Sequence, residues 1–268
     1  MPGFIIDLDG TLYAGTKPIA EAAPFIKYLQ DHDYPYLFVT NNSSRRPEEV
    51  AQHLLDVTGI LASNRDILTS AQAAADYIVE TIPGKKVFVI GEDGLTHALQ
   101  SAGLQIVAGP EDKPDVVVQG IDRNFSYKKL TAACRCLWQG AAFIATNPDQ
   151  QLPTEHGLTP GSGSLTAAIE VASQVKPVII GKPSAILMRY AMDRLGRNAG
   201  DIWVVGDNLH TDIGGGLAAH CQTAWVRSGV GAHLAADQLI HATGINPEVT
   251  CSDLYQLSCI ITARYGQV

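Results

Sequence analysis

Near its start the chain reads Phe4-Ile5-Ile6-Asp7-Leu8-Asp9-Gly10-Thr11-Leu12, an apolar run that meets two carboxylates and then a glycine. Ligands of open parallel sheets bind outside the carboxyl ends of the strands, so acids placed there sit at a site edge. In strand geometry Asp7 and Asp9 project to the same side, and their repulsion calls for a cation, or for a proton on one of them. Gly10 lets the backbone turn tightly and present N–H groups to an anion. A turn closing a strand would use the same residues, so this pattern alone leaves both readings open.

Three more strand ends carry reactive groups. Trp203-Val204-Val205-Gly206-Asp207 repeats the design, with Asp212 five positions later. Mg²⁺ takes one or two carboxylates plus waters and phosphate oxygens, so Asp207 offers a ligand and Asp212 a support behind it. Helix-capping aspartates are the alternative there. Val39-Thr40-Asn41-Asn42-Ser43 offers hydroxyl and amide donors, and Ile180-Gly181-Lys182-Pro183 an ammonium at the head of a helix whose first amides also favour an anion. Each of these is weak alone. Asp-x-Asp, Thr, Lys and Asp at four strand ends in this order form a set that chance rarely assembles.

The elements that must position them alternate between short apolar runs and helical patterns, the mark of β-α-β units around a parallel sheet. Strands are expected at 4–8, 36–40, 86–90, 116–119, 142–146, 178–180, 202–205 and 223–226. Helices are expected near 19–30, 46–57, 71–81, 94–102, 126–139, 164–175, from 183 to about 195, and 253–262. Pro83-Gly84 breaks the first alternation, and the second alternation, from Lys86 to Val175, holds enough strands and helices for a separate α/β domain. The expected division is a discontinuous core at 1–80 and 179–268, with an inserted α/β domain at 81–178.

With 46% apolar and 17% charged residues, 268 residues are ordinary for a globular protein and exclude a disordered or coiled-coil chain. A net charge of −8, with basic residues adjacent only in the isolated pairs Arg45-Arg46, Lys85-Lys86 and Lys128-Lys129, argues against a nucleic acid polymer as partner. A small anionic substrate stays compatible, because one pocket can differ in sign from the whole surface. No apolar run reaches the ~18–20 residues a bilayer span needs, and Asp7 interrupts the first run too early for a signal peptide. Five cysteines without a CxxC pair or zinc spacing read as free thiols, so a cytoplasmic protein with no membrane partner is expected.

Across essentially its whole length the chain resembles haloacid dehalogenase (HAD) superfamily phosphatases of the NagD-like or 4-nitrophenylphosphatase type. The resemblance rests on Asp7-Leu8-Asp9-Gly10-Thr11, Thr40-Asn41-Asn42, Gly181-Lys182-Pro183-Ser184 and Gly206-Asp207 with Asp212. The stretch Ala145-Thr146-Asn147-Pro148-Asp149 through Pro160-Gly161-Ser162-Gly163-Ser164 is similar to that subfamily's cap segment. Spacing agrees. Only 30 residues separate Asp9 from Thr40, whereas 141 separate Thr40 from Lys182, so the extra domain must be inserted in the second interval.

The resemblance implies a HAD-like Rossmannoid core with an α/β cap and an Mg²⁺-dependent phosphomonoester hydrolase acting on small phosphorylated metabolites. It implies Asp7 as nucleophile through an aspartyl-phosphate, and Asp9 as the acid and base that protonates the leaving alcohol and then deprotonates water. Mg²⁺ would be held by Asp7, the backbone carbonyl of Asp9 and Asp207, with Asp212 behind them. Thr40, Asn41, Asn42, Lys182 and the amides near Gly10 would hold the phosphoryl oxygens. The cap is expected to close over the core strand ends, with Asn147, Asp149, Glu155, His156 and Ser162 as leaving-group contacts, and to support a possible homodimer. His210 reads as a surface residue. A phosphotransferase or mutase, or a non-catalytic phosphometabolite-binding protein, are the alternatives.

Overall fold

A computed structural model describes residues 1–154, 157–229 and 235–266 and has two parallel α/β units. The first comprises Met1–Thr40, Glu48–Leu68 and Lys182–Val268, the second Asn41–Pro47 and Thr69–Gly181.

In the first unit the buried strand Gly3–Ile6 is central. It pairs in parallel with Ile202–Gly206 on one side and Tyr36–Thr40 on the other, and the chain reaches these two neighbours by opposite windings. Gln222–Val226 and Val249–Cys251 extend the sheet beyond the first neighbour, and Ile67–Thr69 beyond the second. A strand covered on both faces reads as a continuous apolar run, which is why Gly3–Ile6 and Ile202–Gly206 show no alternation. The helix Ala22–Asp31 buries Ala22, Phe25, Ile26 and Leu29, the i, i+3, i+4, i+7 face of an amphipathic helix. Phe4, Phe25 and Tyr34 meet edge to face in the core beneath it.

The second unit is built on a five-stranded parallel sheet in the order Val178–Ile179, Ala142–Ala145, Val116–Gln119, Lys86–Ile90, Gln105–Ile106. Phe88, Val117, Phe143, Leu137 and Ile169 form its core. Helix Ser70–Thr81 packs on helix Asp93–Ser101 of this unit, and Thr69 and Gln72 close its start as a reciprocal capping box. Residues 41–47 also belong here, because the Gly94 amide donates to the Ser44 carbonyl at 3.0 Å and the Ser70 hydroxyl to the Asn41 carbonyl at 2.7 Å. The compact second unit therefore takes in a helix and a loop that the sequence reading placed in a core segment ending at residue 80.

Two hairpins, Tyr13–Ala14 with Lys17–Pro18 and Gln151–Thr154 with Gly157–Pro160, interrupt the α/β alternation. Among the described residues, no helix is long and apolar enough to cross a membrane.

Candidate active site

The switch of winding direction on either side of Gly3–Ile6 opens a crevice at the carboxyl ends of the strands, the place where such sheets take ligands. Register pairs Ile6 with Val205 and with Phe38, so the next residue, Asp7, lies between the ends of both neighbours. Its amide continues the ladder by donating to the Val205 carbonyl at 2.9 Å. Its side chain enters a cluster with Asp207 and Asp212, in which one carboxylate oxygen from each residue lies within 4.8 Å of the other two.

Lys182 is the cation among them. Its Nζ pairs with Asp7 Oδ1 and, at 2.7 Å, with Asp212 Oδ1, and it donates to the Val39 carbonyl at 3.3 Å. Lys182 and Asp212 are 3% and 1% exposed, so this is a desolvated ion triad in which removing one member strands the others. The Thr11 hydroxyl, also buried, lies 3.5 Å from Asp7 Oδ2 and 3.4 Å from Asp207 Oδ1. Asp212 sits in a π-helical turn, Leu209–Ile213, where its Oδ2 accepts from the Asn208 amide at 3.1 Å. That bond holds the carboxylate toward Lys182.

Three carboxylates and one ammonium leave a negative surplus. Burial, with Asp212 next, drives the Asp7 carboxyl well above the usual carboxylate range, although Lys182 pulls it down, and Asp207 adds to the rise. Burial lowers the Lys182 pKa, but Asp212 and Asp7 outweigh it and leave the ammonium more firmly protonated than a free lysine. A hard divalent cation would reverse the penalty on Asp7, and an all-oxygen cluster is the donor set it prefers. Two bare backbone stretches line Asp207, because a Cβ at Gly10 or at Gly229 would collide with its carboxylate.

The other expected residues are placed differently. The strand ends at Ile6, so the pleat argument does not govern Asp9: it lies in the following turn, bridges to Tyr13 and is exposed. The Gly15 amide donates to its Oδ1 at 3.4 Å. The carboxylates that crowd Asp7 are thus Asp212 and Asp207, 205 and 200 positions away, rather than Asp9. Gly10 adopts φ +95°, a left-handed conformation that glycine takes without strain. Thr40 is buried at the end of its strand, next to the Val39 carbonyl that Lys182 touches.

Asn41 and Asn42 fall in the second unit. The Asn41 amide donates to Asp149 Oδ2 at 3.2 Å, and its carbonyl accepts from the Asn147 amide at 2.9 Å. Asn42 Oδ1 accepts from the Ser44 amide and hydroxyl. Ser162 is buried against the Gln119 amide. Glu155 and His156 lie outside the described residues. His210 is exposed.

The sequence assigns no role to Thr11, Ser228 or Gly229. Ser228 Oγ donates to the Gly10 carbonyl at 2.9 Å, and Ser228 and Gly229 come just after the strand Gln222–Val226, whose carboxyl end was the available signal.

The comparisons with known proteins agree with this geometry. Residues 4–105 match the haloacid dehalogenase-like hydrolases, and residues 179–257 a second, HAD-hydrolase-like family. The 5'-nucleotidase YutF of Bacillus subtilis is 45% identical over 85% of this chain and 88% of its own length. The acid sugar phosphatase of Staphylococcus saprophyticus is 40% identical over 95% of both chains. The p-nitrophenyl phosphatase from Archaeoglobus fulgidus superposes with a TM-score of 0.91 at 35% identity, covering 97% of this chain and 98% of its own. Identity at this level over nearly the full length, with the motif residues gathered at one sheet edge, makes the chain a member of the haloacid dehalogenase-like hydrolase family.

Proposed function

We propose that the chain is an Mg²⁺-dependent phosphomonoester hydrolase that works through an aspartyl-phosphate on small phosphorylated metabolites. The observation that carries this reading is the buried Asp7 at the carboxyl end of the central strand, facing one ammonium and two further carboxylates. The relatives named above are nucleotide, sugar and aryl phosphatases, so nucleoside monophosphates, sugar phosphates and p-nitrophenyl phosphate are the substrates to test first.

In the first step a carboxylate oxygen of Asp7 attacks phosphorus and the bond from phosphorus to the leaving oxygen breaks. Asp9 gives that oxygen its proton. In the second step Asp9 takes a proton from water as the water oxygen attacks phosphorus, which releases phosphate and restores Asp7. Lys182 and the Thr40 hydroxyl hold the non-bridging oxygens, while Asp212 keeps Lys182 aimed at them. Asp7, the Asp9 carbonyl and Asp207 would hold Mg²⁺, which when bound offsets the carboxylate surplus against a dianionic phosphate.

Phosphate release from a panel of these esters, with Mg²⁺ and with EDTA, tests the reading. Turnover that EDTA abolishes is expected. Ester binding without release, or transfer to an added alcohol in place of water, would overturn hydrolysis as the activity.

A further inference from the structure

Asp9 is exposed, and its carboxylate must deliver a proton to a defined oxygen. The Tyr13–Pro18 hairpin meets it. The Asp9 backbone bridges to Tyr13, the Gly10 amide donates to the Tyr13 carbonyl at 2.6 Å, and the Gly15 amide at the hairpin tip reaches Asp9 Oδ1 at 3.4 Å. Gly15 holds φ +62°, so the tip is a tight turn with a defined N–H direction. A two-stranded ribbon this short is marginal alone and needs an external tie.

His53 supplies one. It projects from helix Pro47–Thr58, and its Nε2 lies 3.0 Å from the Gly15 carbonyl. A carbonyl can only accept, so the imidazole donates. The same ring stacks edge-on against Tyr13, with centroids 4.9 Å apart and planes at 86°. One side chain thus grips the first strand and the tip of the hairpin that aims an N–H at Asp9.

Resting on the phosphatase reading, we infer that His53 is a positioning residue for proton transfer: it latches the Tyr13–Pro18 hairpin so that Gly15 orients the Asp9 carboxylate toward the leaving-group oxygen. The latch acts on protonation of the leaving group rather than on phosphate binding. An alkyl phosphate, whose alkoxide is a poor leaving group, needs that proton, whereas p-nitrophenolate leaves without it.

The test compares kcat/KM of wild type and His53→Phe on glycerol phosphate and on p-nitrophenyl phosphate, because kcat/KM reports steps up to the first bond cleavage. The expected result is a loss of roughly five- to tenfold on the alkyl ester with the aryl ester within twofold, a fraction of what a general acid contributes. Equal losses on both esters, or none on either, would overturn the latch. His53→Gln, whose amide can donate to the same carbonyl, should recover at least half of the alkyl-ester loss. A loss of the same size in both variants would overturn the hydrogen bond as the latch. Absence of wild-type phosphate release from either ester would instead sink the phosphatase reading itself.

Discussion

The two units carry parallel sheets of related design, yet their carboxyl ends hold opposite chemistry. In the first, the strand ends gather Asp7, Asp207, Asp212 and Lys182, charges taken out of water and only partly matched. In the second, the ends of Val116–Gln119 and Ala142–Ala145 gather Gln119, Thr146 and Asn147, neutral groups that satisfy one another and their neighbours. Gln119 donates to Ser162 Oγ at 3.1 Å and accepts from Thr166, and Thr146 donates to Ser43 at 3.2 Å. Topology makes a crevice at a strand end, but side-chain type decides whether it holds electrostatic tension or a closed hydrogen-bond network.

The sharpest way to break the contrast is Asp7→Asn. Turnover should fall by at least about a thousandfold while circular dichroism stays unchanged, because an amide cannot form the proposed phospho-enzyme. Next is Lys182→Met, which leaves Asp7 and Asp212 without their cation. It should abolish measurable turnover and cost about 3–5 kcal/mol in urea unfolding, the usual penalty for a stranded buried charge.

A third experiment reads the tension through pH. The Asp7 carboxyl titrates higher in the folded chain than unfolded, so its contribution to stability is complete below about pH 4 and is lost as pH rises through the folded value. As pH rises above about 4, the metal-free wild type should lose melting temperature relative to Asp7→Asn, and Mg²⁺ should remove the difference. Parallel melting curves of the two proteins without metal would contradict the charged-cluster account.

In the neutral network the effects are smaller. Thr166→Val should cost about 1–3 kcal/mol of stability, by leaving Gln119 short of a donor, and change kcat by less than threefold. Thiol labelling is the mildest probe. Burial raises Cys136 and Cys221 to about 11 and Cys251 to about 12, so exposed Cys259 should react first with a disulfide reagent and leave activity intact.

Much of this was legible because buried parallel strands are written as unbroken apolar runs, and their reactive residues come immediately after. Asp7, Asp207, Thr40 and Lys182 could be read that way. The strands Ile67–Thr69, Gln105–Ile106 and Val249–Cys251 could not, since two or three residues carry no periodicity and their partners are distant in sequence. Thr11 between two aspartates, and Asp212 paired with Lys182 across 30 positions, are likewise products of tertiary geometry. Asp9 shows the opposite failure. A correct rule about strand pleat was applied three residues beyond the point where the strand stops.

The glycines facing Asp207 set the terms on which this site can vary. Gly10 excludes a side chain both by its backbone conformation and by the carboxylate in front of it, and Gly229 excludes one by space alone. A saturation library should therefore return almost nothing but glycine at these two positions under selection for activity.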